Sequence, residues 1–316
     1  MLMRTVVVLF GVFAAAGAAA QEKYPERPVE FIVPWGAGGG ADQLARRLAR
    51  LLEPELKISM PVINVPGATG STGMTKMLSA PADGYAISVY IADTHALLAT
   101  SKPRWDVSDF EPLGIMIRQP SALFVKYDSP FKNWADVVMA AKASPGKLKV
   151  AILGFGSVDD MALKYMEGKG IKFNGVPYAK PGERYTAILG GHADLLYEQP
   201  GDVRSFLDSK QMRAILIFNE ERVLPEFADI PSSKEVGLEI YLPQFRSIVM
   251  RSGSDPQRVK VLSDAVAKAA ANPEYYGFLE ESLALRDSFI PAKDAKKFLE
   301  AELAAMRKFA DALSKQ

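Results

Sequence analysis

The sequence predicts an α/β fold of two similar lobes that are joined by two chain crossings around a shared cleft. Three observations predict it. Apolar strands alternate with amphipathic helices in residues 29–91 and again in residues 148–218. Two extended apolar segments far apart in sequence, residues 122–127 and 247–250, are suited to carry the chain between these runs, and two crossings make a hinge. Two glycine-rich loops stand between strand and helix in the first run, where a ligand would meet the cleft.

After the entry Tyr24-Pro25-Glu26-Arg27-Pro28, Val29-Glu30-Phe31-Ile32-Val33 reads as a buried strand. Residues 42–56 read as a helix with the apolar stripe Leu44, Leu48, Leu51 and Leu52. Val62-Ile63-Asn64-Val65 is a second strand, residues 71–78 a second helix, and residues 85–91 a third strand after the turn Pro81-Ala82-Asp83-Gly84. The second run opens with a strand over 148–152 and passes through Gly154-Phe155-Gly156-Ser157 into a helix over 158–168. It then adds strands over 193–197 and 213–218. The tail from Asp255 is helical by pattern, with Pro256 near a start, Pro273 and Pro291 as breaks, and a solvated charged face over 296–308. The lobes so delimited are residues 21–122 with 248–316, and residues 123–247.

Residues 1–20 carry one base, Arg4, an apolar run from Thr5 to Phe13, and Ala18-Ala19-Ala20 before Gln21. That is the pattern of a secretory leader cleaved near Ala20, and it is too short to span hydrocarbon. A soluble, exported, monomeric periplasmic protein is expected. No Cys occurs, so neither a lipid anchor nor a disulfide is expected and core burial must hold the fold. Without Arg4, 37 basic residues face 37 acidic ones, which leaves no net field for nucleic acid or anionic lipid. The partner is then a small molecule or a protein.

The loops are Trp35-Gly36-Ala37-Gly38-Gly39-Gly40-Ala41-Asp42 and Pro66-Gly67-Ala68-Thr69-Gly70-Ser71-Thr72-Gly73, and neither holds Lys or Arg. Each brings backbone N–H groups and a helix N-terminus to one place, so the pair reads as a cradle for a small anion. A tight turn without a ligand is the other reading of either loop alone, but two at one sheet edge favour the cradle. The first loop also fits a dinucleotide fingerprint. Asn64 and Val65 stand where that motif needs an acid, so no nucleotide cofactor is expected. Asp42 reads first as an N-terminal helix cap and otherwise as a residue that fixes the loop. Thr94 and His95 follow the third strand at the same edge, and His95 is either a ligand contact or a satisfied loop histidine. With no Cys, no G-x-S-x-G elbow and only His95 and His192 outside any metal-ligand spacing, neither catalysis nor a metal is expected.

In their order, Tyr24-Pro25-x-x-Pro28, Val33-Pro34-Trp35-Gly36-Ala37-Gly38-Gly39-Gly40-Ala41-Asp42, Asn64-x-Pro66-Gly67-Ala68 and Pro81-x-Asp83-Gly84-Tyr85 resemble the tripartite tricarboxylate transporter solute receptors, the Bug-type periplasmic binding proteins. Val176-Pro177-Tyr178, Leu189-Gly190-Gly191-x-Ala193-Asp194, Asp229-Ile230-Pro231-Ser232 and Glu235-Val236-Gly237 extend the likeness through nearly the whole mature chain. The resemblance implies a type II periplasmic-binding fold that closes on a small carboxylate and delivers it to a membrane permease of one large and one small subunit, without a cofactor. It implies that the first loop (Trp35, Gly36, Ala37, Gly38, Gly39, Asp42) and the second (Ala68, Thr69, Gly70, Ser71, Thr72) hold a ligand carboxylate. Presentation of the ligand to a membrane sensor kinase is the alternative, since both roles need the same closing cleft.

The second lobe departs from the family pattern. The usual Tyr-Lys-Gly-Gly is here Tyr178-Ala179-Lys180-Pro181-Gly182, and the usual Asp-Asn is Glu198-Gln199. Ser157, Tyr178, Glu198 and Gln199 are expected to complete the contacts after closure. Glu198 at the cleft could pair with an amino group or a hydroxyl of the ligand, and would repel a second ligand carboxylate unless Lys180, Arg184 or Arg246 lay between; a strand-end Glu facing water is the bland alternative. Arg246 is a candidate bidentate partner for a distal carboxylate, with a surface salt bridge as its alternative.

Overall fold

Two sheets organise residues 23–315, the part of the chain that the computed structural model describes. The leader expected over residues 1–20 lies outside them. The chain opens with β1 (Glu30–Val33), α1 (Gly40–Leu56), β2 (Val62–Asn64), α2 (Ser71–Ser79), β3 (Ala86–Ile91) and α3 (Ala92–Thr100). Helix α1 buries Leu44, Leu48 and Leu52, one residue per turn, and β3 is buried throughout because helices cover both its faces. Then β4 (Phe110–Gln119) and β5 (Ser121–Lys126) follow with only Pro120 between them, and the second lobe continues with α4 (Trp134–Ala143), β6 (Lys149–Ile152), α5 (Val158–Gly168), β7 (Asn174–Pro177), α6 (Pro181–Leu189), β8 (Leu195–Glu198), α7 (Arg204–Asp208) and β9 (Met212–Phe218). The chain returns in β10 (Gln244–Arg251) and ends with α8 (Pro256–Ala270), α9 (Pro273–Glu281), β11 (Ile290–Pro291) and α10 (Ala292–Leu313).

The first sheet runs β11-β4-β10-β3-β1-β2 and the second β7-β6-β8-β5-β9. In the first, β2, β1 and β3 are parallel, with Phe31 opposite both Val62 and Ile87; in the second, β7, β6 and β8 are parallel, with Val150 opposite Gly175 and Leu195. The remaining strands run antiparallel. Each lobe therefore presents three parallel strand ends, and the loops after them, at one edge. Neither apolar segment expected to cross does so along its length: β5 pairs wholly within the second sheet and β10 wholly within the first. The crossings fall just before them, at Pro120 and ahead of Gln244, where Gln119 and Gln244 are register partners.

One apolar core continues from the first sheet into the second lobe. Helix α10 bridges them by burying Ala295, Leu299, Leu303 and Met306 and packing on β4, α3 and α5. Its Phe309 stacks on Tyr165 of α5 at 5.5 Å between ring centres. A second cluster, which includes Phe124, Tyr185 and Leu196, fills the space between the second sheet and α6.

Candidate functional site

At the first-lobe edge, the loop from Trp35 to Asp42 is fixed from beneath. Asp42 accepts the Gly38 N–H at 2.9 Å on Oδ2 and the Asn64 amide at 3.0 Å on Oδ1, and Asn64 also donates to the Trp35 carbonyl at 3.0 Å. The helix cap is Gly39, and no side chain bonds there. The structure thus corrects the capping role expected of Asp42: it clamps the loop, with Arg46 adding a bond at 3.0 Å. Burial alone would raise its pKa, but the bonds from Arg46, Gly38 and Asn64 outweigh that and hold the carboxyl below its ordinary range. Gly36 and Gly39 are buried while Ala37 and Gly38 form an exposed tip.

In the second loop the backbone turns through positive φ at Gly67 (141°), Ala68 (46°), Thr69 (53°) and Gly70 (88°). Gly70 cannot be replaced cheaply, since a Cβ would fall 2.3 Å from Thr94 Oγ1 and 3.2 Å from Trp35 Cζ2. Trp35, Gly70 and Thr94 therefore meet at one buried point, where the Trp35 indole N–H and the Thr94 hydroxyl have no hydrogen-bond partner among the described residues. Ser71 accepts the Trp105 indole N–H at 3.1 Å, and Ala68 and Thr72 face outward. His95 is the satisfied histidine of its two readings, although it sits in helix α3 and not in a loop. Its ring bonds the Tyr90 hydroxyl at 2.8 Å and the Leu299 carbonyl at 3.0 Å within the core, and burial lowers its pKa to about 4.

At the second-lobe edge the polar residues bind one another. Ser157 is the N-cap of α5: its hydroxyl accepts the Asp160 N–H at 3.2 Å and donates to the Gly154 carbonyl at 2.6 Å. Its donor and one of its acceptor positions are thereby used within the loop and helix start. Glu198 does not face water. It is buried in an ion pair with Arg184, accepts the Tyr185 hydroxyl at 3.2 Å, and takes the Gln199 N–H at 3.1 Å. Burial pushes the Glu198 pKa up against the pull of Arg184, while Arg184 is held protonated by Glu198 despite its own desolvation. Tyr178 is half-buried, with its carbonyl accepting Arg184 Nη1 at 3.3 Å.

Arg246 is no surface salt bridge. It is 5 % exposed and reaches from β10 to Asp202, beyond β8, at 2.5 Å and to Gln199 Oε1 at 3.3 Å. This ion pair lies against Gly40, where a Cβ would come within 2.2 Å of both side chains. Lys180 is exposed and pairs with Glu183 at 3.3 Å.

The lobes touch across the cleft. Thr69 donates to the Phe155 carbonyl at 3.1 Å, Thr100 to the Gly156 carbonyl at 2.8 Å, and Val158 N–H to Asp93 at 3.1 Å. Pro181 and Lys180 lie against Gly36 and Gly39 closely enough that a Cβ on either glycine would sit 2.5–3.1 Å from them. Asp93, Asp159 and Asp202 were not singled out by the sequence. The structure puts each in a helical first turn, and nothing in their local sequence says which groups meet after closure. Among the described residues no group of acids and histidines is placed to hold a metal ion, and no helix is long and apolar enough to cross a membrane.

Two α/β lobes, each with three parallel strands, have the two-domain fold of the periplasmic binding proteins. The chain belongs to the tripartite tricarboxylate transporter family receptors: the TctC family model matches residues 44–313. It is 30 % identical over 279 residues to the UPF0065 protein in the gbd 5′ region of Cupriavidus necator, covering 88 % of this chain and 84 % of that one. It is 27 % identical over 281 residues to protein BugT of Bordetella pertussis, covering 85 % of each. In fold it is similar to MatC from Rhodopseudomonas palustris with bound malate, at a TM-score of 0.84 and 23 % identity over 91 % of this chain and all of that one. The family is one of solute-binding receptors, not of enzymes.

Proposed function

We propose that this protein is a periplasmic receptor that closes on a small carboxylate and delivers it to a permease of one large and one small subunit. One observation carries the carboxylate reading: Trp35 Nε1 and Thr94 Oγ1, both buried and without a partner among the described residues, converge beside Gly70 between two loops that hold no Lys or Arg. Uncharged donors and backbone dipoles suit an anion that must be released again. The malate in MatC supports the same chemical class. Gly36, Ala37, Gly39, Ala68 and Thr69 supply backbone N–H groups in this reading, Asp42 and the internal bonds of Gly38, Gly70, Ser71 and Thr72 hold the loops in shape, and Tyr178 and Gln199 approach from the other lobe. Glu198 and Arg246 act through their internal ion pairs, which set the shape of the distal wall.

The test is thermal melting of the refolded, ligand-stripped protein against carboxylates, malate among them, with sugars and metal ions for comparison. Ligand at about 100 times Kd adds roughly 2.7 kcal/mol of stability. A shift confined to carboxylates is expected. A panel that responds only to sugars or metal ions would sink the proposal.

A further inference from the structure

Asp93 and Asp159 are fully buried and come from opposite lobes, each in the first turn of its helix, α3 and α5. Asp93 Oδ1 accepts the N–H of Val158 at 3.1 Å, so the two helix starts abut, and Asp159 Oδ2 accepts the N–H of Leu153 at 2.8 Å. The remaining oxygens, Asp93 Oδ2 and Asp159 Oδ1, have no hydrogen-bond partner among the described residues, and the bond from Val158, the residue before Asp159, brings the two carboxyls close enough that each shifts the other's ionisation. The groups that face them from neighbouring elements do not neutralise them. Arg184 of α6 is engaged by Glu198 of β8; Glu198 adds negative charge, Tyr197 of β8 is neutral, and the neutral Gln244 amide of β10 draws Asp93 down without offsetting its burial. Two carboxylates side by side in such a place repel strongly, whereas one proton between them replaces the repulsion with an O–H···O bond.

We propose that Asp93 and Asp159 share one proton across the closed cleft, so that closing the lobes takes a proton from solvent and opening returns it. The inference rests on the closing-receptor reading above. Burial pushes Asp93 up to about 6 and Asp159 well above the ordinary carboxylate range. In an open form both carboxyls meet water and ionise near their usual value of about 4. A pKa raised in the closed state favours that state at low pH, and the advantage is lost as pH rises through the raised value. Across that window the closing equilibrium weakens by up to about tenfold per pH unit.

The experiment is small-angle scattering of the empty mature protein between about pH 5 and about pH 8, a range that spans both pKa regimes. Asp159→Asn and Asp93→Asn are measured beside it. The parent is expected to expand as pH rises. Asp159→Asn is expected to stay compact throughout, because its amide donates to Asp93 in place of the proton. Asp93→Asn serves the same purpose from the other side if the first variant does not fold. A parent whose scattering ignores pH, or variants that follow the parent's pH dependence, would overturn the shared proton. No ligand is present, so the two readings fail separately: a flat carboxylate panel removes the receptor, and pH-independent scattering with a responsive panel removes only the proton.

Discussion

Replacing Gly39 by alanine separates closure from folding, because the added methyl meets nothing in its own lobe's way and one group in the other. The Gly39 backbone, at φ −85° and ψ 170°, suits any residue, so alanine brings no local strain. Its Cβ would fall 2.5 Å from Pro181 Cγ across the cleft. Overpacking of that kind costs about 1–3 kcal/mol. An empty receptor escapes the cost by staying open, and a loaded one cannot. Gly39→Ala should therefore leave the melting temperature of the empty protein unchanged while weakening carboxylate binding by roughly 5- to 150-fold in calorimetry. Gly182→Ala is the control, since a Cβ there meets nothing within 4 Å. Adding Pro181→Ala to the Gly39 variant should recover most of the loss, as expected when two substitutions act through one contact. If Gly39→Ala bound as the parent does, or if Pro181→Ala restored nothing, contact between these loops would not be how the ligand is held.

Glu198→Gln leaves Arg184 buried without its counter-charge and should cost about 3–5 kcal/mol in urea unfolding, whereas replacing both residues by apolar ones recovers much of it. Asp42→Ala frees the Gly38 N–H and the Asn64 amide, for an expected loss of about 1–3 kcal/mol. Since the Asp42 pKa is lowered, its contribution is present above the carboxylate range and lost as pH falls through it, which stepped-pH unfolding of parent and variant will show. His95 is kept neutral, with a pKa near 4 against about 6.5 unfolded, so folding should lose roughly 3 kcal/mol as pH drops across that interval. His95→Gln should flatten that acid limb. The sign is opposite to that of the Asp93–Asp159 pair, whose effect fades as pH rises.

The strand-and-helix alternation was legible because it is written in local pattern: the helix expected over 158–168 is α5 residue for residue, and β1, β2, β3, β6 and β9 fall within two residues of expectation. Helix α3 was missed because it follows β3 with no loop and no side-chain cap, so nothing in the sequence marks its start. Strand β4 carries Pro112 and Gly114, residues that ordinarily end a strand, and the structure absorbs them at the irregular register with β10. At the site, the two glycine loops announced themselves through composition. The ion pairs did not. Arg184 and Glu198, or Arg246 and Asp202, are ordinary charges in the sequence and become partners only because β8, α6 and β10 bring them to one edge. Asp42 was misread for a related reason, since an acid in a first turn looks like a cap until the loop before it bends back to its carboxylate.

At neutral pH, where the proton between Asp93 and Asp159 is lost, the unpartnered donors also explain why closure should follow ligand rather than precede it. A buried polar group without a partner costs about 1–3 kcal/mol, and in the closed arrangement Trp35 Nε1 and Thr94 Oγ1 are two such groups at one point. Moving a receptor from 1 % to 99 % closed requires the ligand to favour the closed form by about 5.5 kcal/mol. Satisfying two orphaned donors supplies about 2–6 kcal/mol, which reaches that size, and the proposed carboxylate can do so with its own oxygens. A Trp35→Phe variant removes one donor and keeps the ring. It should therefore close more readily when empty and bind carboxylate about 5- to 150-fold more weakly, a pair of opposite shifts that scattering and calorimetry can read on the same preparation. If Trp35→Phe left both unchanged, the indole N–H would have no part in coupling ligand to closure.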